Sequence, residues 1–202
     1  MRFLVLGDSL AAGTGATSTQ HTLGARLTRV LRDAGRTVDL QVVAVPGATS
    51  LDLAAQVVRA AATAPADVAL LVVGANDITR QVPPARAAAS LADAVRQLRA
   101  RGTEVLVVPT PDLSSVAWVP PVFRSVVAAV CDAQRARQTA AAEAAGAVVA
   151  PVGAAVAGRF AADPSLFSAD RFHPSSAGYA LVAEALAPHL LALADRRAAD
   201  AA

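Results

Sequence analysis

Three short segments, far apart in the chain, carry side chains that fit one reaction: Gly7-Asp8-Ser9-Leu10, Gly74-Ala75-Asn76-Asp77 and Asp170-Arg171-Phe172-His173-Pro174. Ser9 supplies a hydroxyl nucleophile, which is weak until a base takes its proton. His173 supplies the base. Asp170 stands near enough to hold the Nδ1 proton of His173 and leave Nε2 for Ser9. Asn76 supplies a side-chain amide for an oxyanion. The backbone N–H groups of Ser9 and of Gly47, in Val45-Pro46-Gly47-Ala48-Thr49-Ser50, supply two more donors. Such a set performs acyl transfer through a covalent serine ester. Taken singly, each segment has a plainer reading. Asp8 or Ser9 can cap a helix, Asn76 or Asp77 can make a turn, Gly47 can be a turn glycine after Pro46, and Asp170 with His173 can be a solvated turn.

These residues act together only if the fold gathers them. Short apolar runs alternate with amphipathic stretches. Residues 3–6, 38–45, 68–73, 105–108 and 147–150 read as strands. The periodicity predicts helices over 23–34, 51–62, 85–101, 123–145 and 176–193. Gly35, Gly102 and Gly146 stand at their ends, and Pro188 predicts a kink in the last one. This order predicts a parallel five-stranded sheet with helices on both faces, an α/β/α sandwich. One domain is expected over residues 1–195, with 196–202 as a frayed tail. Ser9, Gly47 and Asn76 each follow a strand. They therefore meet at the carboxyl edge, where open parallel sheets form their ligand crevice. The loop holding Asp170 and His173 precedes the last helix and can return to that edge.

The bulk composition fits this reading and narrows it. A chain of 202 residues can bury a sizeable core, and with 3% aromatics that core rests on Val, Leu and Ala. The net charge is +2, and all eighteen basic residues are Arg, scattered among Asp and Glu. No basic stripe points to nucleic acid. Cys131 is the only cysteine, so an internal disulfide and a thiolate zinc cluster are excluded, and it reads as a small core residue. His21 and His189 read as surface or helix-end residues, and only His173 has a carboxylate placed to orient it, so no metal or cofactor is expected. Apolar stretches break before the roughly 18 to 20 residues that span a bilayer. Met1 to Gly7 is too short for a signal segment, and the expected location is cytoplasmic.

The segments, in order and across nearly the whole chain, resemble the conserved blocks of the SGNH hydrolases, also called GDSL esterases and lipases. The first block is matched by Gly7-Asp8-Ser9-Leu10, the second by Gly47, the third by Gly74-Ala75-Asn76-Asp77 and the last by Asp170-Arg171-Phe172-His173. The resemblance implies a flavodoxin-like three-layer fold and metal-free serine esterase chemistry. It implies Ser9, His173 and Asp170 as the triad, with Ser9, Gly47 and Asn76 as oxyanion donors. The implied partner is a small-molecule acyl ester. Its identity stays open, because the family covers acetylated sugars, lipids, thioesters and aryl esters. The alternative is an acyltransferase that moves a short or medium acyl group to a sugar or other alcohol. The apolar run from Val116 to Phe123 follows the fourth strand at the same edge. Within it, Trp118, Val119 and Phe123 are candidates to line an acyl site, with packing on the next helix as the other reading. Phe160 to Phe167 offers a second wall. Arg80, just beyond Asn76, stands ready for an anionic group or for solvent.

Overall fold

The computed structural model describes residues 1–62, 64–114 and 116–199. Five strands, β1 (Arg2–Gly7), β2 (Asp39–Val42), β3 (Val68–Val72), β4 (Glu104–Val108) and β5 (Val148–Val149), form one parallel sheet in the order β2-β1-β3-β4-β5. The chain leaves β1 in one direction to make β2, then crosses back to β3. That reversal is the flavodoxin-like switch, and it opens a crevice between the carboxyl ends of β1 and β3. The helices are α1 (Ser9–Ala12), α2 (Leu23–Asp33), α3 (Leu53–Ala61), α4 (Ala75–Thr79), α5 (Pro84–Arg99), α6 (Arg124–Ala144), α7 (Val152–Ala162) and α8 (Ser176–Ala199).

Strand side chains alternate between two buried faces. Phe3, Val5, Leu70 and Val72 pack with Leu27 and Leu31 of α2 and with Leu186 and Leu190 of α8. Leu4, Leu6, Ala69 and Leu71 pack with Leu53 and Val57 of α3 and with Leu91 and Val95 of α5. Cys131 is fully buried beside Leu113 and Val116, as a core residue.

Several boundaries differ from the sequence pattern, each for a local reason. β2 is shorter than expected. Past Val42 the chain still follows β1, with Val43 N–H donating to Val5 O and Val45 N–H to Gly7 O, both at 3.0 Å, but it then turns away. α1 and α4 are too short to show a helical period. α7 carries Val152, Val156 and Phe160 at four-residue steps, diluted by Gly and Ala. α8 passes through Pro188 without ending. The carbonyl that Pro188 leaves free belongs to Glu184, which is exposed to water, while Leu186, Leu190 and Leu193 anchor both halves in the core. The helix continues through residues expected to fray, and Arg197 pairs with Asp67 at 3.4 Å. Residues 200–202 of the expected tail lie outside the described residues. Among the described residues α8 alone is long and apolar enough to cross a membrane, yet here its apolar side is a core surface.

Two buried glutamines fasten strand ends that have run past their ladders. Gln56 on α3 accepts from Gly7 N–H at 2.7 Å and donates to Gly7 O at 2.8 Å. Gln138 on α6 accepts from the Thr110 N–H at 2.8 Å and its hydroxyl at 2.7 Å, and donates to Val73 O at 3.0 Å. A side-chain amide offers the same donor and acceptor as a peptide group, so each stands in for a missing strand neighbour. Gln138→Leu would leave buried backbone groups of two strands unpaired. The expected cost is about 2 kcal/mol or more, read as a lower urea midpoint at unchanged slope.

Candidate active site

The end of β1 fixes Ser9. Asp8 N–H still donates to Val72 O at 3.0 Å, while Ser9 already begins α1. Gly7 makes this turn with φ 131°, and a Cβ on it would overlap Val72 O. The Asp8 carboxyl group caps α1 by accepting the Leu10 N–H at 3.0 Å. The capping and chemical readings of this segment therefore both hold, for adjacent residues. Ser9 is only 7% exposed. Its Oγ meets His173 Nε2 at 2.9 Å, and His173 Nδ1 meets Asp170 Oδ2 at 2.7 Å.

Asp170 folds the loop that delivers His173. Its Oδ1 accepts the Phe172 N–H at 2.8 Å, the His173 N–H at 2.9 Å and the Ser168 hydroxyl at 2.8 Å. Desolvation pushes this carboxyl up, but the bonds from the His173 ring, the two N–H groups and Ser168 outweigh it and hold it well below the usual carboxylate range. Asp170 therefore faces the imidazole as an anion. The start of α8 is then docked on the segment after α1. Tyr179 donates its hydroxyl to Thr14 O at 2.8 Å, Thr17 N–H donates to Ser176 Oγ at 3.0 Å, and Arg26 donates to Ser176 O at 2.9 Å.

Gly47 and Asn76 lie side by side. Ala48 N–H donates to Val45 O at 3.0 Å, and Gly47 has φ 82°, which is the turn that Pro-Gly favours. Asn76 Nδ2 donates to Ala48 O at 2.9 Å, which ties α4 to that turn. The amide keeps a second hydrogen free of this bond. Asp77 points inward instead, accepting the Ser50 N–H at 2.8 Å and its hydroxyl at 2.6 Å. The structure thus brings Ser9, Gly47, Asn76, Asp170 and His173 to one sheet edge. A hydroxyl hydrogen-bonded to a base with its orienting carboxylate can act as an acyl-transfer nucleophile, and amide donors at the same edge can receive the charge that forms on the carbonyl oxygen.

The structure places the acyl-site candidates from the sequence apart from its apolar cavity. An apolar cavity of about 100 Å³ is lined by Leu10, the neighbour of Ser9, by Phe172 and Pro174, which flank His173, and by Ala75, Val156 and Phe160 among others. Phe160 and Phe167 form the expected second wall, packed edge to face at 5.1 Å. Trp118, Val119 and Phe123 do not line it. Trp118 and Phe123 stand 68% and 56% exposed, and Val119 packs against the patch around Cys131. They reach the site only indirectly, where Trp118 stacks on Phe172 at 5.7 Å and Phe172 meets the His173 ring edge-on at 4.9 Å. The missed wall is α7, whose Val152, Val156 and Phe160 spacing was its one signal. Among the described residues, no three His, Cys, Asp or Glu side chains gather as a metal site.

The profile of the GDSL-like Lipase/Acylhydrolase family matches residues 5–181. Over 198 residues the chain is 39% identical to the GDSL-like esterase Rv1075c of Mycobacterium tuberculosis, covering 96% of this chain and 62% of that one. The chain thus spans under two thirds of that relative's length. TesA superposes with a TM-score of 0.79 at 25% identity, covering 96% of this chain and 99% of that one. A catalytic mutant of the acetylxylan esterase Axe2 from Geobacillus stearothermophilus superposes with a TM-score of 0.76 at 18% identity, covering 94% and 93%, a likeness of fold alone.

The carboxyl next to Ser9 has a consequence for stability. Burial pushes Asp8 up to about 7, with Asp77 adding, against the N–H bonds from Leu10 and Gly74 that lower it. In the folded chain Asp8 keeps its proton to about pH 7, whereas unfolded it releases it near 3.8. The folded state binds the extra proton between those values. The stability that Asp8 contributes is therefore intact below about pH 4 and is lost as pH rises towards about 7, on the order of 4 kcal/mol in all. Asp77 is shifted in the same direction. Asp8→Asn keeps an acceptor for Leu10 but has no proton to lose. Urea unfolding at pH 5 and pH 8 is expected to show a smaller decline in Asp8→Asn than in the unaltered protein, and equal declines would refute the protonated carboxyl.

Proposed function

The chain belongs to the GDSL-like lipase/acylhydrolase family, and on that premise we propose that it hydrolyses carboxylic esters through an acyl-enzyme on Ser9. The observation that carries this reading is the continuous path from Ser9 Oγ to His173 Nε2 at 2.9 Å and from His173 Nδ1 to Asp170 at 2.7 Å. Ser9 Oγ attacks the ester carbonyl as His173 Nε2 takes its proton. The carbonyl electrons move onto oxygen, which the N–H groups of Ser9 and Gly47 and the free amide hydrogen of Asn76 receive. The Asp170 anion balances the imidazolium. His173 returns the proton to the departing alcohol, and the acyl group stays on Ser9. Water then attacks the acyl ester, His173 takes its proton and gives it to Ser9, and the acid leaves.

The apolar cavity would hold the acyl chain. Its volume of about 100 Å³ supports a short or medium chain. α7 would then act as the ruler, because it supplies Val156, Ala157 and Phe160 to the wall.

Ser9→Ala is expected to lower kcat/KM for p-nitrophenyl butyrate by at least about a thousandfold. Turnover like that of the unaltered protein would sink the assignment. Asn76→Ala is expected to cost about a hundred- to a thousandfold in kcat. Ala157→Leu fills the cavity, so the activity profile from acetyl to palmitoyl esters should shift towards acetyl. A profile that does not move places the acyl chain elsewhere.

A further inference from the structure

A second concavity, of about 280 Å³, shares no lining residue with the apolar one. The turn from Val45 to Ala48 forms one wall, Gln56 and Arg59 of α3 form another, and Asp52 and Arg80 complete it. Arg80 follows α4, the helix that carries Asn76. Its guanidinium lies so close to the turn that a Cβ on Gly47 would stand 3.0 Å from Nη2. Arg59 gives one N–H to Val43 O at 2.9 Å, which holds its guanidinium in place and leaves its other donors for a ligand. Neither Arg forms an ion pair among the described residues.

The one carboxylate in this wall is already engaged. Asp52 accepts the Thr49 N–H at 2.7 Å and the Thr49 hydroxyl at 2.8 Å through one oxygen. Those bonds, and Arg80 nearby, hold it below its ordinary value. Two guanidiniums against one hydrogen-bonded carboxylate leave the concavity positive. Guanidinium donors in a plane match carboxylate and phosphate oxygens in pairs.

We propose that this concavity is a subsite for an anionic group, a carboxylate or a phosphate, carried on the alcohol part of the ester. The proposal rests on the esterase reading of Ser9. The acyl chain takes the apolar cavity, and the alcohol part leaves the reacting carbon in another direction. The positive concavity adjoins Gly47, so an alcohol part of modest length reaches it while the carbonyl oxygen stays among the amide donors. Binding energy from the charged end then helps position the reacting carbonyl.

The test compares p-nitrophenyl butyrate with an analogue bearing a carboxylate on the ring, in the unaltered protein, Arg80→Met, Arg80→Lys and Arg59→Met. The readout is the ratio of kcat/KM for the charged ester to that for the neutral one. Losses of folded protein cancel within each ratio, and the intrinsic reactivity of the leaving groups cancels between proteins. The ratio is expected to fall about three- to tenfold in Arg80→Met and by less in Arg59→Met. Arg80→Lys keeps the charge but not the paired donors, so it should fall between Arg80→Met and the unaltered protein, and added salt should lower the ratio in the unaltered protein. An Arg80→Met ratio equal to that of the unaltered protein at low salt overturns the subsite and leaves the esterase reading standing. Failure of the unaltered protein to turn over either ester overturns the esterase reading itself.

Discussion

Strand β1 has to release its chain within one residue, because Val72 still holds Asp8 N–H while Gln56 holds both polar groups of Gly7. A side chain on Gly7 would meet the Val72 carbonyl. The position of Ser9 is therefore set by backbone bonds on both sides of the strand. A hydroxyl held this way needs little reorganisation to meet the His173 ring. The other parts must come to it. The Pro46-Gly47 turn arrives beside it through Asn76 and Ser50, and the His173 loop arrives through the docking of α8 on Thr14, Thr17 and Arg26. Separate layers of the sandwich thus meet at one short turn.

The same edge sorts three carboxyls by environment. Asp170 is partly open to solvent and accepts a ring N–H, two backbone N–H groups and a hydroxyl, so it stays charged. Asp8 is almost fully buried, and desolvation outweighs the N–H bonds it accepts, which favours the neutral acid. Asp77 is also buried and raised, and it holds Ser50 in place. Chemically identical groups thus serve as an anion, a cap and a tether, according to burial and donors alone.

The meeting of the three segments was legible because the parallel sheet puts strand ends on one edge. β1, β3 and β4 were legible because strands covered on both faces are continuously apolar. Gln56 and Gln138 were not, since their partners are the backbones of strands 49 and 65 positions away and no spacing on their own helices marks them. The exposure of Trp118 and Phe123 was illegible for a related reason. An apolar run near a site does not reveal which of its faces is buried, and here Val116 turned inward while the aromatics stayed outside.

Trp118 is the only indole in the chain, and two ring contacts separate it from the His173 imidazole. Its outward position makes it sensitive to solvent, while its stack on Phe172 couples it to the cleft. The protein therefore carries a built-in fluorescent reporter, with no second tryptophan to blur the signal. A change in the packing of Phe172 beside His173 would reach that single ring through one stacking contact, without any added label.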